Sequence, residues 1–177
     1  MQRSLKNNLE IEIKARVQSL QDVEKKIIEM GGIFVREELQ DDEYFSHPCK
    51  DFANTDEALR LRKNGSNIIL TYKGKRIDNI TKTREEYEAI VNGEIREILI
   101  KLGFSPFASI SKTRKIYILG DIEISLDNVK ELGSFVEIET HGDYKDGKER
   151  IMDLAKKLSL GNLEKRSYLE MVVNKDG

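Results

Sequence analysis

Residues 9–14 read Leu9, Glu10, Ile11, Glu12, Ile13, Lys14, a strict alternation that puts two carboxylates and an ammonium on one strand face and aliphatics on the other. The habit recurs along the chain. Arg60 and Arg62 alternate with Leu59 and Leu61; Arg84, Glu86 and Glu88 recur at period two; Glu123, Ser125 and Asp127 stand against Ile122, Ile124 and Leu126; and Glu137 and Glu139 alternate with Val136 and Ile138. In a flat sheet packed on helices, such charged faces look out at water. In a closed sheet one face lines the interior, and helices cover the aliphatic side from outside. Charges that point inward would then line a wet tunnel containing both signs.

At 177 residues the chain is long enough for one barrel with flanking helices and short for two ordinary domains, so a single domain over residues 1–177 is expected. Charged residues make up 35% of the chain, above the usual quarter or so. The 30 basic and 32 acidic residues nearly cancel to −2, and the pI is 5.9. This balance argues against a nucleic-acid partner, which calls for a basic excess. Cys49 has no second cysteine to pair with, and with His47 and His141 it makes no zinc pattern. Met1 to Asn8 are polar and basic, and no apolar run approaches a membrane span, so a cytoplasmic protein without a membrane partner is expected.

Three helices punctuate the strands. Ser19 caps a stripe of Leu20, Val23, Ile27 and Met30 that stops at Gly31 and Gly32. A second helix begins near Asn92 and carries Ile95, Ile98, Leu99 and Leu102 before Gly103; a third runs from about Asp146 with Ile151, Leu154, Ala155 and Leu158 inward and Gly161 as its stop. The first two each follow a charged strand, a weak internal repeat of two related halves. Gly65 to Asn67 reads as a hairpin turn between strands 58–63 and 68–73, and Gly120 and Asp121 join strands 112–119 and 122–127 ahead of a strand at 134–140. With about eight strands and three helices, the fold class is antiparallel α+β. Glycine-rich phosphate loops, HExxH and GxSxG are all missing from the sequence.

Assigned inward, the charges sort by sign. The bases are Lys14, Arg60, Arg62, Lys73, Arg84, Lys112, Arg114 and Lys165; the acids are Glu10, Glu12, Glu86, Glu88, Asp127, Glu137 and Glu139. Enclosing so many ions in a dry interior would cost several kcal/mol per unpaired ion, so a hydrated cavity for a charged ligand is the tenable inward reading. The bases suit a polyanion, and arginine forks match phosphate oxygens. Carboxylates beside a polyphosphate need divalent cations between, and the pairs Glu10/Glu12 and Glu137/Glu139 have suitable spacing for such ligands. An interstrand salt-bridge ladder on the outside of the barrel accounts for the same pattern. Pattern alone leaves both readings standing.

The motifs also resemble a known family. Glu10 to Lys14 is similar to the ExExK signature of the CYTH superfamily, the triphosphate tunnel metalloenzymes. Ala58 to Arg62 resembles its ALRxR strand, Leu70 to Gly74 its LTYKG strand, and Arg84, Glu86, Glu88 its RxExE strand. Lys112 and Arg114 match a KxR strand, Asp127 a lone acid, Glu137 and Glu139 an ExE pair, and Lys165 to Tyr168 the terminal KRSY. The resemblance implies a closed eight-stranded antiparallel β-barrel with helices outside, and a Mg²⁺- or Mn²⁺-dependent enzyme acting on ATP or tripolyphosphate. Glu10, Glu12, Glu137 and Glu139 would hold metal, with Asp127 assisting through a second metal or water. Arg60, Arg62, Lys73, Arg84, Lys112, Arg114 and Lys165 would bind phosphate, Lys14 would clamp phosphate or support proton transfer, and Glu86 and Glu88 would support the bases or complete a metal site. The stretch Asp42 to Asp56 resembles class IV adenylyl cyclases, and the absence of tryptophan disfavours thiamine triphosphate. A class IV-like cyclase is thus the first expectation. A triphosphatase and a noncatalytic nucleotide or polyphosphate receptor are the alternatives, and a homodimer is implied by the same resemblance.

Overall fold

A computed structural model describes residues 9–77 and 80–174. Its strands are β1 (Leu9–Arg16), β2 (Ile33–Ser46), β3 (Ala58–Asn64), β4 (Asn67–Lys73), β5 (Arg84–Val91), β6 (Ser105–Leu119), β7 (Ile122–Val129) and β8 (Gly133–His141). All eight neighbour pairs are antiparallel and close into a barrel in the order β1-β5-β4-β3-β2-β6-β7-β8. The expected α+β closed eight-stranded barrel is therefore observed. The turn residues fit their tasks, since Gly65 (φ 59°) and Gly120 (φ 66°) occupy the left-handed region in the tight β3–β4 and β6–β7 links.

Three helices match the periodic stretches: α1 (Leu20–Glu29), α3 (Ile95–Lys101) and α4 (Tyr144–Lys157), while α2 (Phe52–Thr55) and α5 (Tyr168–Val173) are short additions. Ser19 Oγ accepts from the Asp22 amide to start α1. The third helix begins at Tyr144, ahead of the expected Asp146, because Asp143 caps it by accepting from the Lys145 and Asp146 amides. A capping box between Ser167 and Glu170 starts α5.

The barrel separates two environments. Outside, the aliphatic faces of β1, β7 and β8, including Ile11, Ile13, Ile124, Val136 and Ile138, pack against Val23 and Ile27 of α1 and Ile151, Leu154 and Ala155 of α4. Each such fully buried aliphatic contributes about 1.5–3 kcal/mol. Gly147 lets α4 sit this close, because a Cβ there would meet Ile11 Cδ1 at 2.5 Å. A second cluster beneath α3 gathers Phe45, Leu59, Leu61 and Leu99. A third lies under α5, where Tyr168 and Met171 pack on Tyr44, Ile110, Val129 and Phe135. This last cluster caps one end of the barrel and leaves the charged faces enclosed. No helix among the described residues is long and apolar enough to cross a membrane.

Candidate functional site

The barrel interior holds a cavity of about 600 Å³. Period-two alternation decides its lining: Glu10 and Glu12 from β1, Arg60 and Arg62 from β3, Glu86 and Glu88 from β5, Lys112 and Arg114 from β6, and Glu137 and Glu139 from β8. Lys73 and Arg84 face the same space. The salt-bridge-ladder reading places these charges outside, and the structure places them within.

The deep end, beneath α5, is organised around Asp127, which is completely buried. Its carboxylate accepts from Lys112 Nζ at 3.0 Å, Arg114 Nε at 2.7 Å and Nη2 at 2.6 Å, and the Tyr168 hydroxyl at 2.8 Å. Burial works to raise its pKa, yet the Arg114 and Lys112 charges outweigh burial and hold it below the usual carboxylate range. The Tyr168 ring is a shared platform, with Lys14 Nζ 3.5 Å, Lys112 Nζ 4.8 Å and Lys82 Nζ 5.9 Å from its centroid. An aromatic face thus adds to the carboxylates that steady these three ammonium groups without adding negative charge. Lys14 also lies 3.4 Å from Glu137, which pairs with Arg114 as well. Burial and the neighbouring Lys82 hold Lys14 well below the ordinary lysine value. Burial and Arg114 push Lys112 down to about 8.

On β2, the neighbour of β6, Asp42 receives the Arg62 fork at 2.7 and 2.8 Å and lies 3.7 Å from Arg60. Arg60 Nη2 also donates to Thr71 at 3.1 Å and Glu88 at 3.4 Å, while Lys73 pairs with Glu86 at 2.5 Å. Burial would raise the Asp42 pKa, but Arg60 and Arg62 lower it far below the ordinary value. The consequence for stability follows in sign. A depressed carboxylate pKa supplies stability above pH about 4, which is lost as pH falls through the folded-state value. Chemical denaturation from pH 7 to pH 3 should therefore show a loss of stability that is shallower in Asp42→Asn, and parallel profiles would exclude this role for Asp42.

The opposite wall is acidic. The register places Glu12 of β1 opposite Glu139 of β8, and Glu139 opposite Glu123 of β7, so three carboxylates form one row across adjacent strands. Like charges directly opposite one another destabilise a sheet unless a cation intervenes. Glu10 pairs in register with Arg84 but lies in the same acidic field, and burial followed by Glu139, Glu86 and Glu12 raises its pKa well above the usual value despite Lys73. Burial and Glu139 raise Glu123 as well. The donor set is carboxylate oxygen throughout, which suits a hard divalent cation. Among the described residues no three acidic, histidine or cysteine side chains already stand in cation-binding geometry. Here Glu12 turns to Lys82 Nζ at 3.1 Å, Glu10 lies 3.8 Å from Lys73, and Glu139 lies 3.2 Å from His141.

Of the residues singled out in the sequence, all but Lys165 and the two catalytic assignments, Lys14 and Asp127, line the cavity wall directly. Lys14 and Asp127 are buried at its deep end, held by the contacts just described. Glu88 stands half-exposed, its side chain 49% accessible. Lys165 is exposed and is not among the residues that line the cavity, although its carbonyl accepts from Arg76, which does line it. The structure adds Asp42, Lys82, Glu123, Gln40 and Tyr168. The even spacing of Glu38, Gln40 and Asp42 was the available signal for β2, whereas Lys82 sits in the β4–β5 connection, beyond any periodic pattern.

A family model described as the CYTH domain matches residues 8–168. A Methanocaldococcus jannaschii protein named as a candidate adenylate cyclase is 38% identical over 171 residues, covering 92% of this chain and 98% of that one. A solved structure of a Pyrococcus horikoshii protein is 36% identical with a TM-score of 0.85, covering 94% of this chain and 99% of that chain. A Hippeastrum protein, named as a candidate adenylyl cyclase with a dominant triphosphatase activity, shares the fold at 19% identity and a TM-score of 0.66, over 95% of this chain and 96% of that one.

Proposed function

The chain belongs to the CYTH domain family, whose members are adenylyl cyclase-like or triphosphatase enzymes that use divalent metals, and on that premise we propose that it converts ATP to cyclic AMP and pyrophosphate. The observation that carries this reading is the convergence of Lys82, Arg60, Arg62, Lys112 and Arg114 on one space within the barrel faced by a carboxylate row. A triphosphate is the small anion whose charge and length match such an array.

Arg60, Arg62, Lys112 and Arg114 hold phosphate oxygens, and Asp42 and Asp127 keep those side chains extended and aimed before the ligand arrives. Lys14, buried behind the cavity wall between Glu137 and the Tyr168 ring, adds its charge to the clamp from behind. Glu10, Glu12 and Glu139, with Glu137 alongside, would hold Mg²⁺ or Mn²⁺, which when bound neutralises phosphate charge and acts as a Lewis acid. The enclosed barrel limits water at the reacting phosphorus, which favours attack by the ribose 3′ oxygen on the α-phosphate with pyrophosphate leaving.

Hydrolysis of tripolyphosphate or a nucleoside triphosphate at the terminal phosphate is the second reading. The deep, strongly cationic end that receives a phosphate chain favours it without any need for a nucleoside. A product assay with ATP or tripolyphosphate, in Mg²⁺ and in Mn²⁺, separates the two. Cyclic AMP with equimolar pyrophosphate is expected, and orthophosphate without cyclic AMP would replace the cyclase with the triphosphatase.

One substitution tests the clamp itself. Arg60→Ala should weaken tripolyphosphate binding by about 10–100-fold, the worth of one or two hydrogen bonds to a charged group. Unchanged affinity by calorimetry would remove Arg60 from the clamp.

A further inference from the structure

Among the described residues, Gln40 is a cavity-lining amide whose buried acceptor is left over. It lies on β2 at 3% exposure, between Lys112 of β6 and Asn64 of β3 in the register, and faces the cavity. Its Nε2 donates to Glu38 Oε1, and Glu38 Oε2 receives Arg36 at 2.6 Å. The donor partner fixes which way the amide points, because a flipped amide would set its oxygen against the Glu38 carboxylate. With the amide so oriented, Gln40 Oε1 is buried and has no hydrogen-bond partner among the described residues. Buried acceptors of this kind are rare in folded proteins, and each calls for a partner in the working state.

The chemistry of that partner is constrained. It must bring an N–H or O–H into the cavity on the side of the phosphate clamp, since Lys112 is the register neighbour of Gln40. A fully ionised tripolyphosphate has none to offer. A nucleoside triphosphate does, through an exocyclic amine of the base or a hydroxyl of the sugar. Apolar side chains line the same space, with Ile69 on β4 and Ile116 on β6 offering walls to a flat or weakly polar group.

Resting on the triphosphate reading above, we propose that Gln40 is a specificity-determining residue whose Oε1 accepts a hydrogen bond from the nucleoside of a nucleoside triphosphate. It separates such ligands from bare polyphosphate within one phosphate clamp. Sites built to pair with a ligand N–H or O–H reject analogues lacking it, because the buried acceptor is then unpaired.

The test measures ATP and tripolyphosphate binding by calorimetry to the wild-type chain and to Gln40→Leu. The expected result is a 10–100-fold loss of ATP affinity with tripolyphosphate affinity within about threefold of wild type. An equal change for both ligands, or none for either, overturns the proposal. Failure of the wild-type chain to bind either ligand would instead overturn the triphosphate site on which it rests. A second arm leaves the protein untouched and varies the ligand, comparing ATP with its 6-deamino, 2′-deoxy and 3′-deoxy analogues. One of the three should bind at least tenfold more weakly than ATP and identify the donor, whereas equal binding of all four overturns the proposal even where the variant fails to fold.

Discussion

Changing both Glu10 and Glu12 to Gln should abolish metal-dependent turnover, by at least about 100-fold, while the barrel remains folded. The amides keep the shape of the carboxyl groups but remove the two charges that stand with Glu139 on the acidic wall. Glu10 supplies the reason to expect an intact fold. Burial and three neighbouring carboxylates raise its pKa, so its ionised form works against folding at neutral pH and its neutralisation relieves that opposition. The cost falls on Lys82, which loses the charge of Glu12. Circular dichroism should therefore show the wild-type spectrum, and turnover should fall with metal dependence lost. Wild-type rates in the double variant would sink the assignment of these residues to metal.

The second large effect is on stability. Asp127→Asn removes the carboxylate that Lys112 and Arg114 both donate to at the deep end, leaving Lys112 with an amide and Arg114 with Glu137 as its remaining carboxylate partner. Breaking a buried pair from one side costs about 3–5 kcal/mol, which for a chain of this size corresponds to a fall in Tm of about 10 °C. Because the folded-state pKa of Asp127 is depressed, its contribution is present above the ordinary carboxylate range and disappears as pH falls. The gap between wild type and variant should accordingly narrow in acid. A variant as stable as wild type at pH 7 would show that Asp127 is not the counter-ion the geometry makes it.

The barrel was legible wherever one strand face was aliphatic and the other charged. β1, β3, β7 and β8 all obey that rule because helices cover their outer faces. β2 hid for a physical reason. Its outward residues are charged too, with Glu43 donated to by Arg96 of α3, and a register shift between Phe34 and Arg36 breaks the alternation at its start. Asp42 and Gln40 were lost with it. Lys82 reaches the cavity from a connection held to β1 by the bond from its amide to the Glu12 carbonyl at 2.8 Å, a contact between positions seventy residues apart that no local pattern announces. Tyr168 was visible as part of a motif, but its role depends on α5 folding back over the barrel end. Lys165 shows the converse: it shares that motif, yet it lies exposed just before α5 and does not line the cavity.

Closure of the barrel also sets an order for its own making. β1, among the first residues described, finds its long pairing partner in β8, more than a hundred residues downstream, and among the described residues meets β5 through two register pairs. On a ribosome adding about 5–20 residues per second, β1 must wait on the order of ten seconds for that partner to be made. An ordinary apolar strand left open for so long would invite pairing with other chains. The alternating charges of Glu10, Glu12 and Lys14 make it a poor template for such pairing. The charged face of β1 that is enclosed in the finished barrel thus protects the nascent chain before any barrel exists.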